Sequence, residues 1–360
     1  MEGIVEVSKA LCIVGPLPPP RHGVSAINES MMLLARENGF VVTSFDTAPS
    51  SLDRSLRVRL SRLGRIILAI LGAYRFAKQH PYAVVYLSLS GGWGLVYESL
   101  IARCAKMAGA RIVVHHHSFR YLDNPFWPMS LLVRSAGVGA IHVVLGDTMA
   151  KMLRVRYPKA RTILIASNAQ YIQGESRPST QLRRVVYLSN LSKEKGMDDV
   201  LATARSSRGL PIEFIVAGPF VNSADEAGYR QQMNDLPNIR YVGPLHGERK
   251  AAFYRDIDAF IFPTRYSHEA EPLVVLEALS YGRPVIAFDR GCIPSILTEG
   301  GIVIDREGDL PILAIDIFRR WLEDEDSFRK ISKDAARQFG LLRNQSLSAR
   351  EELLKRFVAA

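Results

Sequence analysis

The sequence predicts an α/β protein with two doubly wound parallel sheets. Three observations lead there. First, short and almost wholly apolar runs alternate with stretches of helical periodicity, as in Ala10–Gly15, Val84–Leu89, Ala259–Phe262 and Val285–Phe288. A strand apolar on both faces belongs to a parallel sheet covered on both sides by helices. Second, the alternating series runs twice, and a polar, aperiodic stretch at 170–183 separates the two runs. Third, 360 residues of which 48% are hydrophobic suffice for two cores.

In chain order, the first series expects strands at Ala10–Gly15, Phe40–Phe45, Val84–Leu89, Arg111–His115, His142–Leu145 and Thr162–Ala166. A helix is expected over Ala26–Ala35 with Ser25 as N-cap, and another from Leu95 to Met107. The second series expects strands at Arg184–Ser189, Glu213–Ala217, Ile239–Val242, Ala259–Phe262, Val285–Phe288 and Ile302–Ile304. From Leu310 onward the pattern is helical. The boundaries read as a first domain over 1–170, a linker at 171–183 and a second domain over 184–335. Helices at 336–360 are expected to pack back towards the first domain.

The net charge is +10. Such a charge fits nucleic acid, an anionic membrane surface or anionic substrates. No nucleic-acid motif or interleaved aromatic pattern is present, which excludes nucleic acid. The charge concentrates at 54–78, where Arg54, Arg57, Arg59, Arg62, Arg65, Arg75 and Lys78 occur without one acid. Leu56, Leu60, Leu63, Ile67, Ile70 and Leu71 share one side at helical spacing. A basic amphipathic helix of this kind over 55–78 predicts peripheral membrane contact. The alternative is a helix packed on the sheet with a solvated basic face. Cys12, Cys104 and Cys292 lie far apart, so no disulfide framework or metal site is indicated and a reducing cytosol is expected. The N-terminus reads as a strand rather than a signal peptide, and no apolar run is long enough to span a bilayer. The expected location is cytoplasmic, at the inner face of the membrane.

The chemistry centres on 259–292. A strand ends at Pro263, a polar loop follows, and Pro272 opens a short helix that Gly282 and Pro284 stop. Glu277 sits among Leu273, Val274, Val275, Leu276, Ala278 and Leu279, so its carboxylate needs a partner. A ligand hydroxyl pair would serve, and so would an arginine. The helix N-terminus offers free N–H groups and a positive dipole end for a phosphate. Glu277 lies roughly 7–8 Å along the axis from it, about the span from a diphosphate to its ribose. Glu269 precedes Glu277 by eight positions; a solvated loop residue is the plain reading of it.

Glu269-x7-Glu277, with PLVVLEA, YGRPVIA and Gly291 after it, resembles the signature of retaining glycosyltransferases of the GT-B fold, most like glycosyltransferase family 4. The resemblance implies two Rossmann-like domains facing each other across a cleft. It implies a metal-independent transferase without cofactor that uses a UDP- or GDP-sugar donor and a saccharide or lipid-linked saccharide acceptor, in cell-envelope polysaccharide or glycoconjugate synthesis. Glu277 would then hold the ribose, Glu269 the transferred sugar, and the N–H groups at Pro272, Leu273 and Val274 (Pro272 itself has none) would surround the diphosphate. Lys195-Gly196 matches the family's Lys-Gly, and Lys195 would offset charge on the leaving diphosphate. Asn190 stands where the family has Arg, which leaves more to Lys195 and Arg265. Gly218 and Gly243 resemble the nucleotide-side turns. On the acceptor side the resemblance implies the loop containing His22 and Gly23, and a histidine at the end of the fourth strand. Strand alternation points His115 and His117 one way and His116 the other. His117 matches best, with His115 second. Metal binding by three adjacent histidines lacks Cys or acid support. Two other functions fit the same residues: a sugar-nucleotide epimerase of the GT-B type, or a non-catalytic sugar-nucleotide or saccharide binding protein.

Overall fold

A computed structural model describes residues 9–19, 23–48 and 56–358. The chain divides into two compact units, one of residues 1–167 with 346–360, the other of residues 168–345.

The first unit contains β1 (Ala10–Gly15), α1 (Gly23–Glu37), β2 (Val41–Asp46), α2 (Leu56–Gln79), β3 (Val84–Ser88), α3 (Leu95–Met107), β4 (Arg111–His115), α4 (Arg120–Asp123), α5 (Trp127–Ala136), β5 (Ile141–Val144), α6 (Asp147–Arg156) and β6 (Thr162–Ile165). All strands are parallel, in the order β2-β1-β3-β4-β5-β6. Leu11 pairs with Val84 and Val14 with Leu87, so the central strands bury every residue. The strand order reverses between β1 and β3. Ligands in open α/β sheets bind at such a switch point, beyond the carboxyl ends of the strands.

The second unit contains β7 (Arg184–Leu188), α7 (Met197–Ser206), β8 (Glu213–Ala217), α8 (Ser223–Asn234), β9 (Ile239–Tyr241), α9 (Gly247–Arg255), β10 (Ala259–Phe262), α10 (Leu273–Ser280), β11 (Val285–Phe288), α11 (Ile293–Leu297), β12 (Gly301–Ile304) and α12 (Leu310–Glu323). Its parallel order is β12-β11-β10-β7-β8-β9, with the switch point between β7 and β10. A last helix, α13 (Glu325–Val358), follows.

Three expectations are corrected. Helix α1 starts at Gly23 rather than after Ser25, and Ser25 is buried inside it instead of capping it. The C-terminal helices are one 34-residue helix, since no proline and only Gly340 interrupts the pattern. Its end completes the first core: Ala349, Leu353 and Phe357 pack with Leu11, Phe40 and Val113, and the Arg111 guanidinium donates to the Arg356 carbonyl. The polar stretch at 171–183 is tied to the second unit. The Asp258 carboxylate accepts from Ser179 Oγ and from the Arg183 and Arg184 N–H groups, and Arg177 N–H donates to Tyr281 O.

Helix α2 buries Ala69, Ala73, Phe76 and Ala77 and leaves Leu63, Ile67, Leu68 and Leu71 exposed. Of the apolar side expected there, Leu63, Ile67 and Leu71 face solvent and Ile70 is half-buried. The side chains of Leu56 and Leu60, and Arg54, lie outside the described residues. Arg65 donates to Asp46 and to the Ala48 carbonyl, and Arg62 to the Tyr97 hydroxyl. Among the described residues no helix is long and apolar enough to cross a membrane.

Candidate active site

At the switch point of the second unit, the loop after β7 meets the loop after β10. Gly196, in the left-handed region at φ +88°, packs so closely that a Cβ would lie 2.0 Å from the Pro263 carbonyl oxygen. The β7 loop is held by Tyr187, whose hydroxyl donates to Lys195 O. Lys195 therefore projects at the β10 loop, and its ammonium lies 2.5 Å from Glu269 Oε2. Thr264 Oγ1 donates to the same oxygen at 3.1 Å, and the Tyr266 ring lies 4.7 Å from the ammonium. The structure thus brings Lys195 and Glu269 into one mostly buried ion pair. A plain solvated loop residue is not what Glu269 is.

Glu277 finds its partners on α9. Lys250 Nζ lies 2.6 Å from Oε1, and the Tyr254 hydroxyl donates to Oε2 at 3.0 Å. Burial, and then the Glu277 charge, hold the Tyr254 phenol well above its ordinary range, so it remains a donor. The charged partner is a lysine rather than an arginine. Lys250 and Tyr254 are four apart on a helix and share a face; that spacing is the only sequence signal for them, and nothing local links it to Glu277.

Helix α10 starts at Pro272 without a side-chain cap. The N–H groups of Leu273 and Val274 precede the first helical bond, from Val275 to the Pro272 carbonyl, and open the helix to an anion. Gly218 (φ +122°) lies against the Ser189 carbonyl and donates its N–H to Gly243 O at 2.9 Å. The β7, β8 and β9 loops are thereby packed together. Asn190 is exposed on the β7 loop. Arg265 is committed elsewhere: its guanidinium grips both oxygens of Asp199, at 2.7 and 2.8 Å, and lies over the Phe288 ring. Its charge is matched by Asp199, as that of Lys195 is by Glu269.

In the first unit, the end of β4 carries a histidine cluster. The rings of His115 and His117 lie 4.0 Å apart, while His116 points to the other side. His116 bonds the Tyr121 hydroxyl at 2.8 Å through Nδ1 and His142 Nδ1 at 3.0 Å through Nε2. His115 Nδ1 is bonded to the Tyr86 hydroxyl. Burial pushes His117 down to about 3 and His142 down to about 4, and pushes His115 and His116 well below the ordinary imidazole range. All four are neutral at pH 7. His115 is tied to Tyr86 through Nδ1, and the Nε2 atoms of both His115 and His117 have no hydrogen-bond partner among the described residues. Gly23 opens α1, and His22 lies outside the described residues. Among the described residues no group of three His, Cys, Asp or Glu could hold a metal ion.

Residues 170–338 match the family model described as glycosyl transferases group 1. The match runs over nearly the whole of the second unit. The chain is 26% identical over 273 residues to a sulfoquinovosyl transferase of Arabidopsis thaliana, a match covering 65% of this chain and 49% of that protein. It is 28% identical over 191 residues to a D-inositol 3-phosphate glycosyltransferase of Corynebacterium efficiens, covering 47% of this chain and 44% of that one. The chain thus spans about half the length of these relatives. Both units together have the GT-B fold. Sucrose-phosphate synthase of Thermosynechococcus elongatus superposes with a TM-score of 0.71 at 15% identity, covering 98% of this chain and 100% of that one. HepE of Anabaena, in a complex with UDP, gives 0.69 at 15% identity, covering 96% and 99%.

Proposed function

We propose that the protein is a retaining glycosyltransferase of the family 4 type. It moves a sugar from a UDP- or GDP-sugar to a saccharide or lipid-linked saccharide in polysaccharide or glycoconjugate synthesis at the cell envelope. The observation that carries this reading is the Lys195–Glu269 pair at the switch point of a group 1 domain, beside the open N-terminus of α10.

In this reading the donor diphosphate takes the Leu273 and Val274 N–H groups and draws Lys195 towards it. Glu269, released from Lys195, accepts hydroxyls of the transferred sugar. Glu277 holds the ribose with its remaining lone pairs, Lys250 and Tyr254 fixing its orientation. The bond from the anomeric carbon to the diphosphate breaks, and the acceptor hydroxyl oxygen bonds the same face of that carbon. Its proton leaves with the diphosphate oxygen. Lys195 and the helix dipole meet the charge that develops, so the reading is metal-independent. The protein works at the cytoplasmic membrane face, held by the exposed Leu63, Ile67, Leu68 and Leu71 of α2 among its basic residues.

Incubation with UDP- and GDP-sugars tests this directly. NMR should show slow release of nucleoside diphosphate and a free sugar that first appears with the donor's anomeric configuration. An inverted first product overturns the retaining assignment. Interconversion of the intact donor without release would instead identify an epimerase.

A further inference from the structure

Two of the protein's three tryptophans stand in solvent, Trp93 63% and Trp127 58% exposed, whereas Trp321 is buried. They are not scattered. Trp93 lies on the loop that leaves β3, at the switch point of the first sheet, and Trp127 opens α5. Trp93 meets Phe126 edge-on at 5.4 Å and 74°, and Trp127 at 5.9 Å and 67°. Edge contacts leave ring faces uncovered. The Arg120 guanidinium lies 5.5 Å from the Phe126 ring and makes no ion pair among the described residues.

The loop beneath is rigid. Glu98 Oε1 accepts the Ser90 N–H at 3.0 Å, and Gly91, at φ +73°, lies where a Cβ would come within 2.6 Å of Ser118. A preformed platform of this kind binds without a large ordering cost.

We propose that Trp93, Phe126, Trp127 and Arg120 form the subsite for an acidic saccharide, the acceptor of the transfer; this rests on the transferase reading above. A pyranose presents C–H groups of positive partial charge on its ring faces and hydroxyls at its rim. Aromatic faces are negative and attract the former. Arg120 supplies paired N–H donors for a carboxylate or phosphate on the same sugar. A bilayer fits this patch less well, because the exposed Asp123 and Asn124 lie three and two positions before Phe126 and would have to lose water.

The test is titration of tryptophan fluorescence in the full-length protein with methyl glucoside, methyl glucuronide and glucose 1-phosphate. Saturable quenching is expected, at least tenfold tighter for the two acidic sugars. Trp93→Ala and Trp127→Ala should each weaken it at least tenfold, and Arg120→Gln should abolish the acidic preference alone. The proposal is overturned if none of the three sugars quenches, or if only phosphatidylglycerol vesicles do, which would make the patch a membrane contact. A thermal-shift screen with UDP- and GDP-sugars separates the two readings. Donor stabilisation without sugar quenching removes this subsite only; sugar quenching without donor stabilisation removes the transferase reading.

Discussion

The two sheets of this protein carry opposite materials towards their carboxyl ends. In the second unit the functional side chains are charged and matched in pairs: Lys195 with Glu269, Lys250 with Glu277, Arg265 with Asp199. In the first unit the end of β4 and β5 carry four neutral imidazoles, three of them buried, beside two tyrosines. On the proposed function, the difference follows from what each would meet. A nucleoside diphosphate is an anion, and charges held apart from water in pairs are ready to re-pair with it. A sugar hydroxyl is neutral and needs oriented, uncharged donors and acceptors.

Breaking the charged side at Lys195 or Glu269 should have the largest effect. Lys195→Met removes stabilisation of the departing diphosphate, and a loss in kcat of about 10²–10³ is expected, as for other electrostatic donors of this type. Glu269→Ala should fall at least as far, because it removes the carboxylate that accepts the transferred sugar's hydroxyls. Single-turnover rates check both.

The neutral side should reveal itself through acid. Each histidine has a folded pKa below its unfolded value of about 6.5. The unfolded state therefore binds protons more readily, and stability that is complete above that value is lost as pH falls. By pH 5 the loss is about 2 kcal/mol per histidine. Glu98 works against it: burial raises its carboxyl to about 7, so folding gains as pH falls from 7 towards 4.5. One acid offsets about one of four histidines, and a net loss of stability remains. Thermal melts at pH 7.5 and 5 in wild type and His142→Gln measure it; the variant should lose less on acidification.

Sequence patterning carried the sheets because parallel strands buried on both faces are continuous apolar runs, and most strands begin or end within a residue of where periodicity places them. The need of Glu277 for a partner was legible from its apolar helix, whereas Glu269 and Lys195 stood out only through the family resemblance. The partners of Glu277 and Arg265 were not legible. Lys250 and Glu277 are joined only by the packing of α9 on α10, and Arg265 reaches Asp199 across 66 positions. Such pairs are set by tertiary distance, which local spacing does not encode. Ser25 misled for the reverse reason: a residue with good capping chemistry lies inside a helix that is already formed at Gly23.

Smaller perturbations sharpen the comparison. Tyr254→Phe removes one hydrogen bond to a charged acceptor, and donor KM should rise by a factor that corresponds to about 1.5–3 kcal/mol at most. Asn190→Arg restores a cation to the β7 loop; donor binding should tighten a few-fold and become more salt-dependent, by the modest amount expected of an exposed charge. Isothermal titration in low and high salt reads both.

The most direct measurement is calorimetric titration of UDP- and GDP-sugars into wild type and Glu277→Ala. The account predicts saturable binding of at least one of them to the wild type, and loss of tenfold or more in affinity when Glu277 is removed. Equal affinity in the two proteins would contradict the placement of the donor at the second switch point.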